Sequence, residues 1–190
     1  MARRLAFVLQ IDPDVFALHA QDNGWTEVEI EENHDEDRPM RLWRIPDGGE
    51  VRFVNETALQ CQYVEINADP TDPVEAAINE EFTCYDRRDW VEALDLTQAE
   101  EPVCHGLVRL ACTSPGEIDR DVINVTIEGL HDERDNVRIA ALKTPIYTKW
   151  AEFLPEVTRI AENDHSRAVR GFAGNAKLIL ELTQRIASES

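Results

Sequence analysis

The chain has 190 residues, 43% of them hydrophobic, and its 38 acidic against 19 basic side chains leave a formal net charge of −19. That length supports one large domain or two small ones around an ordinary core, with no need of disulfides or metal for folding. The acidic surplus excludes ordinary nucleic-acid binding, which draws on lysine and arginine, and it disfavours anionic membranes.

In chain order, residues 3–11 begin with an apolar run, Leu5 to Leu9, that reads as a strand. The run is too short for a signal peptide or a membrane span, so a cytoplasmic protein is expected. Asp12-Pro13 then supplies a cap and a proline for a helix reaching Gln21. From Trp25 to Glu31 the chain alternates, with Trp25, Glu27, Glu29 and Glu31 on one side and Val28 and Ile30 on the other, as in a half-buried strand. Two further strands, Met40 to Ile45 and Glu50 to Val54, flank the hairpin signal Pro46-Asp47-Gly48-Gly49. Leu59 to Ile66 adds another strand, and Asp72-Pro73 opens a helix over Val74 to Phe82. These elements predict a small antiparallel α/β domain over residues 1–85. It is the acidic half, with 19 acidic and 6 basic residues.

Between the second and third strands, residues 31–37 carry five carboxylates: Glu31, Glu32, Asp35, Glu36 and Asp37. One reading is a solvated loop kept extended by self-repulsion. The other is an electrostatic anchor for a basic partner, continuous with Glu27 and Glu29 and edged by Trp43. The spacing lacks the central glycine of a calcium loop, so no metal is expected there.

The second half, residues 86–190, predicts paired helices. Trp150, Phe153, Leu154, Val157, Ile160 and Ala161 form one helical stripe, and Val169, Phe172, Ala173, Ala176, Ile179 and Leu180 repeat its spacing after a short turn. A similar pair precedes it, its turn at His131-Asp132-Glu133-Arg134-Asp135 and its second helix starting near Asn136. A more degenerate pair runs from Trp90 to Cys112. A phrase recurs about every thirty residues: Val108-Arg109-Leu110-Ala111-Cys112, Val137-Arg138-Ile139-Ala140-Ala141 and Val169-Arg170-Gly171-Phe172-Ala173. With the turn aspartates Asp132 and Asp164 five places before the valine, this pattern resembles the short bacterial form of the HEAT-repeat family, over roughly residues 87–187. The resemblance implies an α-solenoid of about three helical hairpins, giving an α+β chain overall. It also implies that Asp132, Arg138, Asp164 and Arg170 form a structural ladder between repeats and take no part in catalysis. In the first unit Val103 stands where the aspartate would be.

The four cysteines show neither the close pairing of a zinc site nor the density of a disulfide scaffold. Cys104-His105 with Cys112 is too widely spaced on one helix for a single ion. No nucleophile elbow, phosphate-binding glycine loop or dinucleotide fingerprint is present. The expected function is therefore non-enzymatic protein binding without a cofactor, most concretely an acidic immunity protein that occludes a basic toxin. A scaffolding or regulatory adaptor working through the repeat surface is the alternative, and a lyase-type enzyme is the third possibility, for which the sequence nominates no residue.

Overall fold

A computed structural model describes residues 2–29, 38–46 and 48–189. The chain forms two compact units that divide between Asp86 and Arg87. The first holds a mixed assembly of helices and one antiparallel sheet, and the second is helical.

In the first unit, six strands are ordered β2-β3-β4-β5-β1-β6. In chain order they are β1 (Arg3–Phe7), β2 (Thr26–Val28), β3 (Met40–Arg44), β4 (Glu50–Glu56), β5 (Cys61–Asn67) and β6 (Cys84–Tyr85). The meander β2 to β5 is local. The first strand, by contrast, inserts between β5 and the short β6, with Leu5 opposite Val64 and Phe7 opposite Cys84. Sequence periodicity identifies strands but not this order, because pairing residues some sixty positions apart leaves no local trace.

β1 stops earlier than its apolar run suggests. Leu9 is 75% exposed, and the chain leaves the ladder after Val8 bonds the Thr83 carbonyl. Pairing resumes through a side chain: the Ile11 amide donates to Gln62 Oε1 at 2.7 Å and Gln62 Nε2 donates to the Ile11 carbonyl at 3.0 Å. An amide side chain can reproduce a backbone pair because it carries both a donor and an acceptor. The β3–β4 loop needs its second glycine. Gly49 has φ +106°, and a Cβ there would lie 2.6 Å from the Asn67 carbonyl oxygen.

Two helices, α1 (Pro13–Asp22) and α2 (Asp72–Glu81), pack on one face of the sheet. Asp12 caps α1 by accepting from the Asp14 amide at 2.9 Å. The core gathers Phe7, Phe16, Trp43, Phe53 and Phe82, with Phe16 at its centre and its ring 5.2 Å from both Trp43 and Phe53. His19 lies in the same aromatic cluster, 6% exposed, and its Nδ1 is 2.8 Å from Glu81 Oε2, tying α1 to the end of α2.

The second unit contains α3 (Arg87–Ala93), α4 (Glu100–Thr113), α5 (Arg120–Leu130), α6 (Asp135–Ala141), α7 (Lys143–Thr148), α8 (Leu154–Asn163) and α9 (Arg167–Glu189). They pack as α3 on α4, α5 on α6 and α8 on α9, while α4, α6–α7 and α9 lie side by side in chain order. Two expected helices differ in form. The helix starting near Asn136 is broken at Leu142, because Pro145 lacks the amide that would bond the Ala141 carbonyl. The stripe from Trp150 begins as a 3-10 turn over Ala151–Phe153, and α8 starts at Leu154 with Pro155 in its first turn.

The small-residue positions Cys112, Ala141 and Ala173 are all completely buried, as are Val137 and Val169. Val108 is only half-buried. In the first pair the recurring phrase is therefore rotated relative to its neighbours, and Val103, Leu107 and Leu110 carry the packing. Among the described residues no helix is long and apolar enough to cross a membrane.

Candidate functional site

The acidic strip predicted on the second strand is partly engaged by the protein itself. In β2, Glu27 lies opposite Trp43 of β3. Residues two apart on a strand share a face, so Arg41 projects beside Trp43 toward α1. The Arg41 guanidinium grips Glu27 with two bonds, Nε to Oε1 at 2.7 Å and Nη2 to Oε2 at 3.0 Å. Its Nη1 reaches Asp14 Oδ1 at 2.8 Å and the Pro13 carbonyl at 3.2 Å. One arginine thus pins the start of α1 to the sheet edge, a bidentate arrangement that lysine cannot supply. The guanidinium also covers the Trp43 ring, 5.4 Å from its centroid.

Around this clamp lies an open cleft of about 590 Å³, with Ala17, Leu18 and Gln21 of α1 on one side, Thr26 and Glu27 on the other, and Trp25 and Trp43 as its floor. Leu18 is 62% exposed and neighbouring Val15 is 43% exposed. α1, its flanking cap and the β2 segment present five exposed carboxylates: Asp12, Asp14, Asp22, Glu27 and Glu29. Of these, Asp14 and Glu27 line the cleft and are held by Arg41, while Asp12, Asp22 and Glu29 lie on the flanking segments.

The geometry changes the role of several residues expected to bind a partner. Trp43 is not an exposed edge of the acidic cluster, since it is 1% exposed and belongs to the core beneath the cleft. Trp25 is likewise buried on the side shared with Glu27. This follows from the short edge strand, because the position covered by α1 is interior and the next one on that face meets Arg41. Glu29 is exposed. Glu31, Glu32, Asp35, Glu36 and Asp37 lie outside the described residues. Arg41, Asp14 and Leu18 were missed by sequence reasoning. The one local signal was the alternation of Arg41 with Trp43, which places a cation on the apolar face of β3.

The Arg41 hydrogen bonds hold the Glu27 carboxyl below its ordinary value of 4.5, against the opposing effect of burial. A carboxyl depressed in the folded state adds stability above its unfolded value, and that stability is lost as pH falls through the folded one. The stability gap between the protein and an Arg41→Met variant is therefore expected to be widest near neutral pH and to close on acidification. Because Glu27 is half exposed, the full gap is no more than about 1 kcal/mol. Thermal midpoints measured across the acid range test this, and a gap that stays constant with pH contradicts it.

In the second unit, the four predicted ladder residues divide into distinct roles. Arg138, 4% exposed, donates from Nε to Asp164 Oδ2 at 2.9 Å and from Nη2 to Asp164 Oδ1 at 3.1 Å. Its Nη1 donates to the Asp132 carbonyl at 2.7 Å and the Glu133 carbonyl at 3.0 Å, and Nη2 also meets Asp135 at 2.8 Å. Arg170 repeats the backbone half of this pattern, bonding the Asp164 carbonyl at 2.6 Å and the His165 carbonyl at 3.2 Å. The Asp132 carboxylate instead accepts from Arg134, with Nε and Nη2 bonds of 2.8 and 2.7 Å. Arg134 continues to the Leu96 and Gln98 carbonyls at 2.8 and 2.7 Å, so it links the second helix pair to the first. Arg109, in the matching place of the first phrase, lies over the Trp90 ring at 5.6 Å.

Burial, reinforced by Glu100, pushes the Cys104 thiol up, opposite to what a nucleophile needs. Among the described residues no group of three metal-ligating side chains converges. No protein-family model matches this chain, and no curated protein or solved structure does either.

Proposed function

We propose that this protein is a non-catalytic binding module that captures a basic protein through the α1–β2 cleft of its first unit. The observation that carries this reading is the cleft itself, an open trough with exposed Leu18 and a tryptophan floor, on elements that carry five exposed carboxylates. Interfaces place apolar anchors centrally and charge at the edge, and an acidic rim speeds encounter with a basic surface. The most concrete form is an immunity protein that occludes a basic toxin. The net charge of −19 favours the same polarity of partner.

The helical unit, in this reading, is an array of three HEAT-like hairpins. Its support is the repeated arginine-to-carbonyl bond of Arg138 and Arg170 and the Arg138–Asp164 pair between consecutive turns. The same array gives the second reading, an adaptor that binds through residues 87–187. Capture of a partner from the native host, followed by titration of variants, separates the two. Leu18→Arg in the trough and Asp22→Lys with Glu29→Lys on the flanking segments are expected to weaken binding at least tenfold, or about 1.4 kcal/mol. Binding should also fall steeply with salt. Unchanged affinity in these variants, or a partner that is itself acidic, contradicts capture through the cleft.

A further inference from the structure

The charge pattern of this chain reverses on one helix. Between Arg167 and Ser188 the sole acidic residue is Glu181. It lies nine residues from Phe172 but three from Leu178 and four from Arg185, so it sits at the arginine edge of α9 and is the one carboxylate there. The face that carries Phe172 is exposed and largely apolar: Phe172 is 37%, Leu178 55% and Leu182 46% exposed. Arg167 and Arg185, five turns apart, stand on one rim of this stripe. Neither pairs with a carboxylate among the described side chains. On the other rim, Lys143 of α7 places its Nζ 4.9 Å from the centroid of the Phe172 ring.

Glycine placement on the same helix points outward too. Gly106 and Gly129 face close internal neighbours, since an added Cβ would lie 2.6 Å from Leu94 Cδ1 and 3.1 Å from Ala141 Cβ respectively. At Gly171 and Gly174 an added Cβ meets nothing within 4 Å. A glycine inside a helix weakens it, and the usual compensation is close approach of another group. Here the folded chain supplies none. Gly171 shares with Ala168, Phe172 and Asn175 an open depression of about 690 Å³. Small residues beside a projecting ring make a lane in which a second helix can lie close to the α9 backbone.

We propose that this face of α9 is a docking surface for an amphipathic helix of another protein, one with a small apolar seam and an acidic rim. Charge decides among the possible occupants. A second copy laid antiparallel about the centre of the stripe would bring Arg167 against the copy's Arg185, and a parallel copy would set each arginine beside its equivalent. Both arrangements set arginine against arginine, with one carboxylate per copy, Glu181, to offset two arginines. An anionic bilayer would meet the field of a chain with net charge −19. An acidic helix pairs with Arg167, Arg185 and Lys143 while its seam covers Phe172 and Leu178. This surface is separate from the α1–β2 cleft and has the opposite polarity.

The test uses the full chain and a fluorescein-labelled synthetic helix of about five turns with an alanine–leucine seam and a glutamate rim. A peptide with the same seam and a lysine rim serves as the control. Saturable binding of the glutamate peptide is expected, weakened at least tenfold by Arg167→Glu with Arg185→Glu and by Gly171→Leu. Leu18→Arg should leave it unchanged, which separates this surface from the cleft. Gly171→Leu enters open space and should keep the thermal midpoint; Gly171→Ala provides a milder second variant, expected to weaken binding less. Equal binding of the lysine peptide, insensitivity to Gly171→Leu, or preferential binding to phosphatidylcholine–phosphatidylserine vesicles overturns the proposal.

Discussion

Replacement of Arg138 by alanine is expected to destabilise the helical unit by about 3–5 kcal/mol, the range for removing one partner of a buried ion pair. Arg138 is 4% exposed and Asp164 7%. The arginine places all five of its N–H donors on Asp164, Asp135 and the carbonyls of Asp132 and Glu133. Its loss leaves the buried Asp164 carboxylate with the Ser166 amide but without its arginine, and strips two turn carbonyls of the same guanidinium. The effect should reach beyond one helix pair, because Arg138 lies in α6, against the turn between α5 and α6, while Asp164 belongs to the turn between α8 and α9. Arg138→Lys restores the charge but not the fork, so it should recover only part of the loss. Asp164→Ala should cost a similar amount, and the double variant clearly less than the sum. Urea unfolding of the full chain, followed by far-UV circular dichroism, measures these differences. Additive losses in the double variant would show that Arg138 and Asp164 do not act as a pair.

The second large effect is expected at Phe16, where alanine should cost the first unit about 3–5 kcal/mol. Phe16 is fully buried. Its ring lies within 5.2–6.3 Å of Phe7, Trp25, Trp43, Phe53 and Phe82. Removing it leaves a cavity that five large rings, fixed on the sheet and on neighbouring segments, cannot close by small shifts. The same residue anchors α1, so the cleft should suffer as well as the core. Tryptophan fluorescence includes Trp25 and Trp43 along with Trp90 and Trp150 of the second unit, and its Trp25 and Trp43 contribution, isolated by Trp90→Phe with Trp150→Phe, should lose its native signal at a lower midpoint. Phe16→Leu, which keeps part of the volume, should cost distinctly less. A loss below about 1 kcal/mol for Phe16→Ala would mean that the cluster can collapse around the missing ring.

Local chemistry was the most legible part of this chain. Asp12-Pro13 announced α1 because a capping carboxylate and a ring-fixed φ act on their own neighbours, whatever the rest of the fold does. The strand over Met40 to Ile45, which sets Arg41 and Trp43 on one face, was legible for the same reason. Its consequence was not, because Arg41 meets Glu27 and Asp14 across sequence separations of 14 and 27 residues. A sequence cluster of carboxylates drew attention to residues 31–37, while the cleft depends on acidic groups that cluster only once α1 folds over β2 and β3.

The recurring valine–arginine phrase shows the same boundary from the other side. By itself the sequence determined the helical type of the second half, the antiparallel strands of the first and the acidic character of the whole, since periodicity and composition are properties of neighbours and totals. Only the tertiary structure decided that Arg138 binds a carboxylate of the following turn, that Arg170 binds carbonyls alone and that Arg109 stacks on Trp90. It likewise set β1 between β5 and β6 and sent Trp43 inward. A repeated residue carries the same donors each time, but the acceptor it finds is set by which distant segment the packed core brings within about 3 Å.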